Sequence, residues 1–152
     1  MRSIVLFAIL CFIVSLGFAQ ENSKRTKHFN LKNDVAIQGY DPVAYFAQGA
    51  TKGKKKFAVL YQGVQYYFSS ADNKMLFEAN PGKYEPQYGG WCAYAMGSYG
   101  DKVAINPETF KIVDEKLYLF YNAFFNNTLK SWNDDEVTLK QNADRNWKSI
   151  YK

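Results

Sequence analysis

The chain is poor in the residues that build most disulfide and metal sites. Its 152 residues include two cysteines and a single histidine, His28. Two cysteines exclude a disulfide-dense mini-protein and a four-thiolate zinc site within one chain, and one histidine excludes a three-histidine catalytic metal site. Glycine-rich phosphate loops and dinucleotide-binding fingerprints are also missing from the sequence. The sequence therefore indicates fold class more strongly than function.

Length and charge are ordinary for one globular domain. With 47% hydrophobic and 22% charged residues, the composition argues against a disordered chain and against a polytopic membrane protein. The net charge is +5, and the densest group of lysines is Lys52, Lys54, Lys55 and Lys56. This group suits either an anionic surface or a solvated loop before a strand. The small charge excess favours the loop, so we expect no nucleic-acid partner.

The first residues have the layout of a secretory signal peptide. A short basic start precedes an almost unbroken apolar run over residues 4–18, and small residues, Gly17 and Ala19, stand before Gln20. This pattern predicts a signal peptide over residues 1–19, cleaved between Ala19 and Gln20. The run is shorter than the roughly 20 residues of a membrane span, although a retained anchor is the alternative. We therefore expect an exported protein, periplasmic or extracellular, that is not an integral membrane protein after cleavage.

The remaining chain is predicted to hold a loose polar leader over residues 20–34 and a single domain over residues 35–152. Alternating apolar residues predict two β-hairpins, and capping and breaker residues predict short helices between them. A four-four-three spacing of apolar residues predicts a last amphipathic helix. The hairpins are expected at 57–69 and 110–121, the short helices at 43–48, 71–80 and 91–97, and the apolar stripe at Leu139, Ala143, Trp147 and Ile150.

These elements give an α+β fold with two short β-hairpins, short helices and a C-terminal helical extension. The two hairpin-then-helix units look alike, but the residues match too weakly to establish a duplication.

The segment Tyr61–Ser70, followed by Phe77–Pro81 and Tyr84, resembles the YHS domain family. The earlier Asp41-Pro42-Val43 is similar to the opening of that family. The continuation over residues 86–95 and 117–119 resembles its longer exported subgroup. The resemblance implies a small module that is found alone or attached to copper-transporting ATPases and other metal-handling proteins.

The soft metal ligands of that family are replaced here. Metal-associated short forms carry cysteines at the positions of Ala44, Ser69 and Asn73. Residues 56–58, which include Phe57 at the histidine position, replace the Tyr-His-Ser triplet that names the family. Serine and asparagine are poor ligands for copper or zinc. The resemblance therefore implies the scaffold without a thiolate or imidazole site at these positions.

Cys92 is the candidate metal ligand. It follows Gly89 and Gly90 near the start of a short predicted helix, where the helix dipole favours a thiolate. Met96, four residues on, shares its helical face, and a thiolate with a thioether suits Cu(I), so copper is the candidate cofactor. The alternatives are a buried cysteine that only packs and a nucleophile in a thiol-dependent enzyme. The enzyme is the weaker alternative because the only imidazole base, His28, lies in the predicted leader.

Aromatic residues surround the same glycine pair and predict a wall that could stack a sugar or planar ligand. The alternative is that they fill the core. The candidate ligand-binding residues are Tyr88, Gly89, Gly90, Trp91 and Tyr94. Together these features predict a binding module for a small ligand or a metal ion, and favour it over an enzyme.

Overall fold

A computed structural model describes residue 20 and residues 22–152, so the predicted signal peptide at 1–19 lies outside the described residues. Residues 22–28 are helical and are called α1. In the described part of the chain, no helix is both long and apolar enough to cross a membrane.

The architecture is α+β, as the sequence predicts. The strands are β1 (Leu31–Lys32), β2 (Val35–Ala36), β3 (Lys54–Tyr61), β4 (Val64–Phe68), β5 (Asn106–Val113), β6 (Lys116–Phe120), β7 (Asn122–Ala123) and β8 (Asn126–Asn127). The further helices are α2 (Ala71–Ala79), α3 (Pro81–Tyr84), α4 (Ala93–Ser98), α5 (Thr128–Asp134) and α6 (Glu136–Ile150). One sheet has the order β1-β2-β4-β3, and β5–β6 and β7–β8 form two separate hairpins.

Both predicted hairpins are present, and their strands pair in the same register relative to the turn. In the first, Lys54 pairs with Phe68 and, after an irregularity, Ala58 pairs with Tyr67. In the second, the partners are Asn106 with Phe120 and then Phe110 with Leu119. Each partner in the second hairpin lies 52 positions after its counterpart, as 106 follows 54 and 120 follows 68. The irregularity falls at the same place in both.

The segments before the hairpins repeat as well. Left-handed backbone turns occur at Ile37–Gly39 and Tyr88–Gly90, and each precedes a short helical segment. Parallel pairing joins Val35 to Gln65 in one unit and Pro86 to Leu117 in the other. Residues 35–79 and 86–134 therefore share one arrangement of turn, hairpin and helix, and are called here the first and second repeats. The same residue occupies both members of five pairs: Gly39/Gly90, Ala44/Ala95, Gly49/Gly100, Tyr66/Tyr118 and Phe68/Phe120.

Each repeat packs a helix aromatic ring against its own hairpin. The ring of Phe77 in α2 lies 4.8 Å from that of Tyr66 and 5.1 Å from that of Phe68. The ring of Trp132 in α5 lies 5.7 and 5.5 Å from the corresponding two rings of β6. All of these side chains are almost fully buried, so they form equivalent parts of the two hydrophobic clusters.

The expectation of a loose leader over residues 20–34 is wrong. Arg25 in α1 is only 6% exposed, forms an ion pair with Glu85 and donates to the Gln62 carbonyl at 3.2 Å. Tyr66 donates its hydroxyl to the same Glu85 carboxylate. Burial, together with the neighbouring carboxylate, raises the pKa of Tyr66 well above its usual value. A buried guanidinium is stable only when it is paired, and the partners of Arg25 lie in the domain. Residues 22–34 are therefore part of the fold.

The C-terminal helices agree with the prediction. The stripe on α6 packs on the second cluster through Ala143, which is fully buried, and through Leu139, Trp147 and Ile150. A Cβ atom added to Gly97 would lie 2.5 Å from the Leu139 carbonyl oxygen, so α4 and α6 approach each other closely at this glycine.

Candidate functional site

The structure gives Cys92 a packing role. Its side chain is fully buried, and it is the N-cap residue of α4. Tyr121 donates its backbone N–H to Cys92 Sγ at 3.3 Å, and Thr128 Oγ1 lies 3.4 Å from the sulfur. The Thr128 hydroxyl donates to the Tyr121 carbonyl at 2.9 Å, so its single proton is used there. The thiol therefore donates to Thr128 and accepts from Tyr121.

Met96 is also fully buried, but it belongs to the second hydrophobic cluster, whereas Cys92 belongs to the first. Among residues 22–152, no group of three or more histidine, cysteine, aspartate or glutamate side chains could hold a metal ion. The expected copper site at Cys92 and Met96 finds no support in this geometry, because the thiol's hydrogen bonds are already satisfied within the core. The alternative of a thiol-dependent enzyme lacks an accessible nucleophile, because the sulfur of Cys92 is fully buried.

Asp41 occupies in the first repeat the place that Cys92 occupies in the second. Its carboxylate is fully buried. One oxygen, Oδ2, accepts from the Ser69 backbone N–H at 2.8 Å, the Ser69 hydroxyl at 2.7 Å and the Asn73 amide at 2.7 Å. The other oxygen accepts from the backbone N–H groups of Val43 and Ala44.

These contacts bring together the positions at which the resemblance implies cysteines. Ala44, Ser69 and Asn73 all donate to the one carboxylate of Asp41. Five donors satisfy a buried anion that would otherwise be costly. This cluster therefore stabilises the fold, and it offers hard oxygen and amide groups where a soft metal would need sulfur.

The predicted aromatic wall is only partly assembled. Tyr88 and Gly89 line a cleft of about 280 Å³, whereas Gly90, Trp91 and Tyr94 are not among its lining residues. Tyr88 donates its hydroxyl to Asp144 at 2.9 Å, and burial raises its pKa. The Trp91 indole N–H donates to the His28 carbonyl at 2.7 Å, so this donor has a partner within the protein.

The left-handed turn of the second repeat is covered by the protein itself. A Cβ atom on Gly89 would lie 2.9 Å from side-chain atoms of Phe29 and of Trp147. In the first repeat the equivalent turn, Ile37–Gly39, borders a cleft of about 430 Å³, called here the basic cleft. Its lining residues are Lys32, Asn33, Val35, Gln38, Gly39, Tyr40, Lys52, Lys55, Tyr67 and Pro107.

The basic cleft has one sign of charge. Lys32, Lys52 and Lys55 line it, and no carboxylate stands among the described residues of its lining. Lys52 Nζ lies 5.5 Å from the ring centre of Tyr40, within cation–π distance. The Tyr40 hydroxyl donates to Glu108 at 3.0 Å, and partial burial together with that carboxylate raises the pKa of Tyr40. The lining therefore carries three positive charges, and the Glu108 carboxylate lies next to it at Tyr40.

Residues with left-handed backbone contribute to the basic cleft, because Asn33, Gln38 and Gly39 are among its lining residues. Asn33, Asp34, Ile37, Gln38 and Gly39 all have positive φ angles, between 51° and 82°. At a β-branched residue such as Ile37 this conformation is a clear outlier. Tyr88, at the equivalent place in the second repeat, also has a positive φ of 55°, so the conformation belongs to the repeat itself. The Gln38 side-chain amide donates to the Ile105 carbonyl at 3.0 Å and holds the turn against the second repeat.

The sequence does not predict this site, because residues 33 and 34 lie in the polar segment that it predicts to be a leader. The usable signal was the Asn33-Asp34 pair, since both residues tolerate left-handed backbone. Comparison of the chain with protein-family models, curated proteins and solved structures finds no match. The YHS resemblance therefore stays a hypothesis that rests on the residues quoted for it.

Proposed function

We propose that the protein is a binding module for a small anionic molecule held in the basic cleft. The observation that carries this proposal is a concave site of about 430 Å³ lined by three lysines and by two tyrosines, Tyr40 and Tyr67. Its volume lies in the range of roughly 300–1,000 Å³ that small-molecule sites occupy.

The residue types of the lining indicate the ligand chemistry. Lysine ammonium groups act as point charges toward a carboxylate or phosphate group, and the tyrosine rings can pack against an apolar or planar part of the ligand. No carboxylate or imidazole is among the lining residues, and the neighbouring Glu108 carboxylate already accepts from the Tyr40 hydroxyl. This favours binding over general acid–base chemistry.

This proposal keeps the predicted class, a small-ligand binding module on a YHS-like scaffold, and moves its site from Gly89–Tyr94 to the first repeat. The signal-peptide pattern at residues 1–19 supports an exported protein that meets its ligand outside the cytoplasm. Copper is the less favoured ligand because the sulfur atoms of Cys92 and Met96 are fully buried.

The test is a titration of the isotope-labelled full chain with inorganic phosphate, citrate and glutamate, monitored by amide NMR. We expect at least one of these anions to shift the Gln38 amide signal saturably. The double substitution Lys52→Gln with Lys55→Gln should weaken that binding about tenfold or more, because it removes two of the three charges lining the cleft.

The matched control is Lys54→Gln with Lys56→Gln. These lysines lie on the same strand, are exposed and do not line the cleft, so the substitution removes the same charge from a neighbouring surface. If both double variants lose affinity equally, the anion responds to net charge alone and the proposal fails. It fails equally if none of the three anions shifts the cleft signals.

A further inference from the structure

The β7–β8 hairpin is an insertion in the second repeat. In the first repeat, Phe68 ends β4 and the helix cap Ser70 follows two residues later. In the second repeat, Phe120 ends β6, but the cap of α5, Asn127, follows only after the hairpin. The first repeat completes the same unit without this hairpin, so the scaffold does not need it.

Two phenylalanines form the tip of the inserted hairpin. Phe124 is 91% exposed, and Phe125 is fully exposed. They are the two central residues of the turn and have φ angles of 50° and 64°. Two-residue turns with positive φ favour Asn-Gly, Asp-Gly or Gly-Gly. The chain therefore keeps two residues that are unfavourable in both exposure and backbone conformation.

We propose that the tip formed by Phe124 and Phe125 inserts into the interfacial region of an anionic lipid bilayer. Residues 117–129 contain no charged side chain, and Lys130 is exposed just beyond them. The whole chain carries a net charge of +5, which attracts it to anionic headgroups. Aromatic and apolar side chains at a bilayer surface combine with such charge to give peripheral binding.

The size and shape of the tip favour a bilayer over a protein groove. Two exposed aromatic side chains offer roughly 400 Å², about half of what one partner contributes to a stable protein–protein interface. The backbone behind the tip is paired, Asn122 with Asn127 and Ala123 with Asn126. Paired amide groups lower the cost of approaching a low-dielectric phase, and the flanking asparagine side chains suit the headgroup level.

The test places a tryptophan at the tip of the full chain and measures its quenching by dibrominated lipids. The variant is Phe125→Trp, with Phe124→Trp as a second placement, mixed with vesicles of phosphatidylcholine and phosphatidylglycerol. We expect a blue shift of tip emission and at least twofold quenching after subtraction of the wild-type signal. Quenching reports only on the tryptophan introduced at the tip. All variants contain the apolar residues 1–19, so any binding by that segment is the same in each of them.

The matched control is Leu60→Trp, an exposed apolar position, 73% exposed, in β3 of the first repeat. Its emission should change little. If neither tip tryptophan is quenched more than the one at position 60, the inference is wrong. A tip that docks in a protein groove would give the same result. Equal quenching with pure phosphatidylcholine vesicles would overturn the requirement for anionic lipid. None of these outcomes depends on the ligand of the basic cleft.

Discussion

Tyr121 donates its backbone N–H to Cys92 Sγ at 3.3 Å, in the place where Ser69 donates its backbone N–H to the Asp41 carboxylate at 2.8 Å. Both donors directly follow the second strand of a hairpin, and both acceptors follow a left-handed turn. The two repeats thus use a buried acceptor to bind the end of the hairpin, a carboxylate in one and a thiol in the other. Cys92 is the structural counterpart of Asp41.

Cys92 is expected to be protected from alkylation in the native protein. Its sulfur is fully buried and lies between the Tyr121 backbone N–H and the Thr128 hydroxyl, where a reagent cannot reach it. Iodoacetamide treatment of the native chain, followed by mass spectrometry of the peptide that contains Cys92, should show no modification. The same treatment in guanidinium chloride should modify it fully. Rapid native labelling would instead restore the thiol-based functions.

The substitution Asp41→Asn should destabilise the protein strongly. In either orientation its amide nitrogen would face donors, those of Ser69 and Asn73 or the backbone N–H groups of Val43 and Ala44, and buried groups would be left unpaired. We expect a loss of about 2–4 kcal/mol in the free energy of unfolding, measured by urea denaturation. The control Asp72→Asn, at an exposed position in the first turn of α2, should cost no more than about 1 kcal/mol. Equal losses would show that the buried cluster has no special role.

The parts of the fold that the sequence predicted are those encoded locally. Alternating residues such as Val64, Tyr66 and Phe68 define a strand face by themselves, and all three are buried as their spacing requires. Ser70 accepts from the Asn73 N–H at 3.1 Å, as a residue of its type before a helix should. Such signals need only neighbouring residues, which explains why both hairpins and α2 were predicted.

The parts that the sequence did not predict depend on distant residues. Arg25 looks solvated in a polar segment, and only its partner Glu85, 60 positions later, makes it a core residue. Cys92 follows two glycines that suggest an open backbone, but Thr128 and Tyr121 close around its sulfur. The sequence shows two similar hairpin-then-helix units but does not establish the repeat, because the units share their strand register while most of their side chains differ.

Stability should fall in alkaline solution because several tyrosines are buried. Burial raises the pKa of Tyr118 to about 12 and also raises the pKa values of Tyr66 and Tyr88. In the unfolded chain these phenols ionise near their usual pKa of about 10. The folded state therefore retains protons that the unfolded state releases, so stability is complete below about pH 10 and declines toward pH 12.

Two measurements check this pH dependence. The midpoint of urea denaturation should decrease steadily above about pH 10, and Tyr118→Phe should make the decrease shallower because one shifted phenol is removed. Tyrosinate absorbance of these residues should rise only with loss of native circular dichroism. A native protein that ionises all its tyrosines near pH 10 would contradict the burial of these phenols.

Phe124 and Phe125 should lower the stability of the protein, because both are exposed and have positive φ angles. Replacing Phe124 by Asn and Phe125 by Gly supplies the residues that this turn favours, and it removes two exposed rings. We expect stabilisation of about 1 kcal/mol, a rise of about 2–4 °C in the midpoint of thermal unfolding measured by calorimetry. The matched variant is Asp114→Asn with Glu115→Gly, which alters the β5–β6 turn, where φ is 49° and 55°. It should also stabilise, but by less, because it removes the exposed ion pair between Glu115 and Lys83 at 3.5 Å. A destabilised tip variant would instead mean that the phenylalanines support the fold, and the hairpin would then need no external partner to account for them.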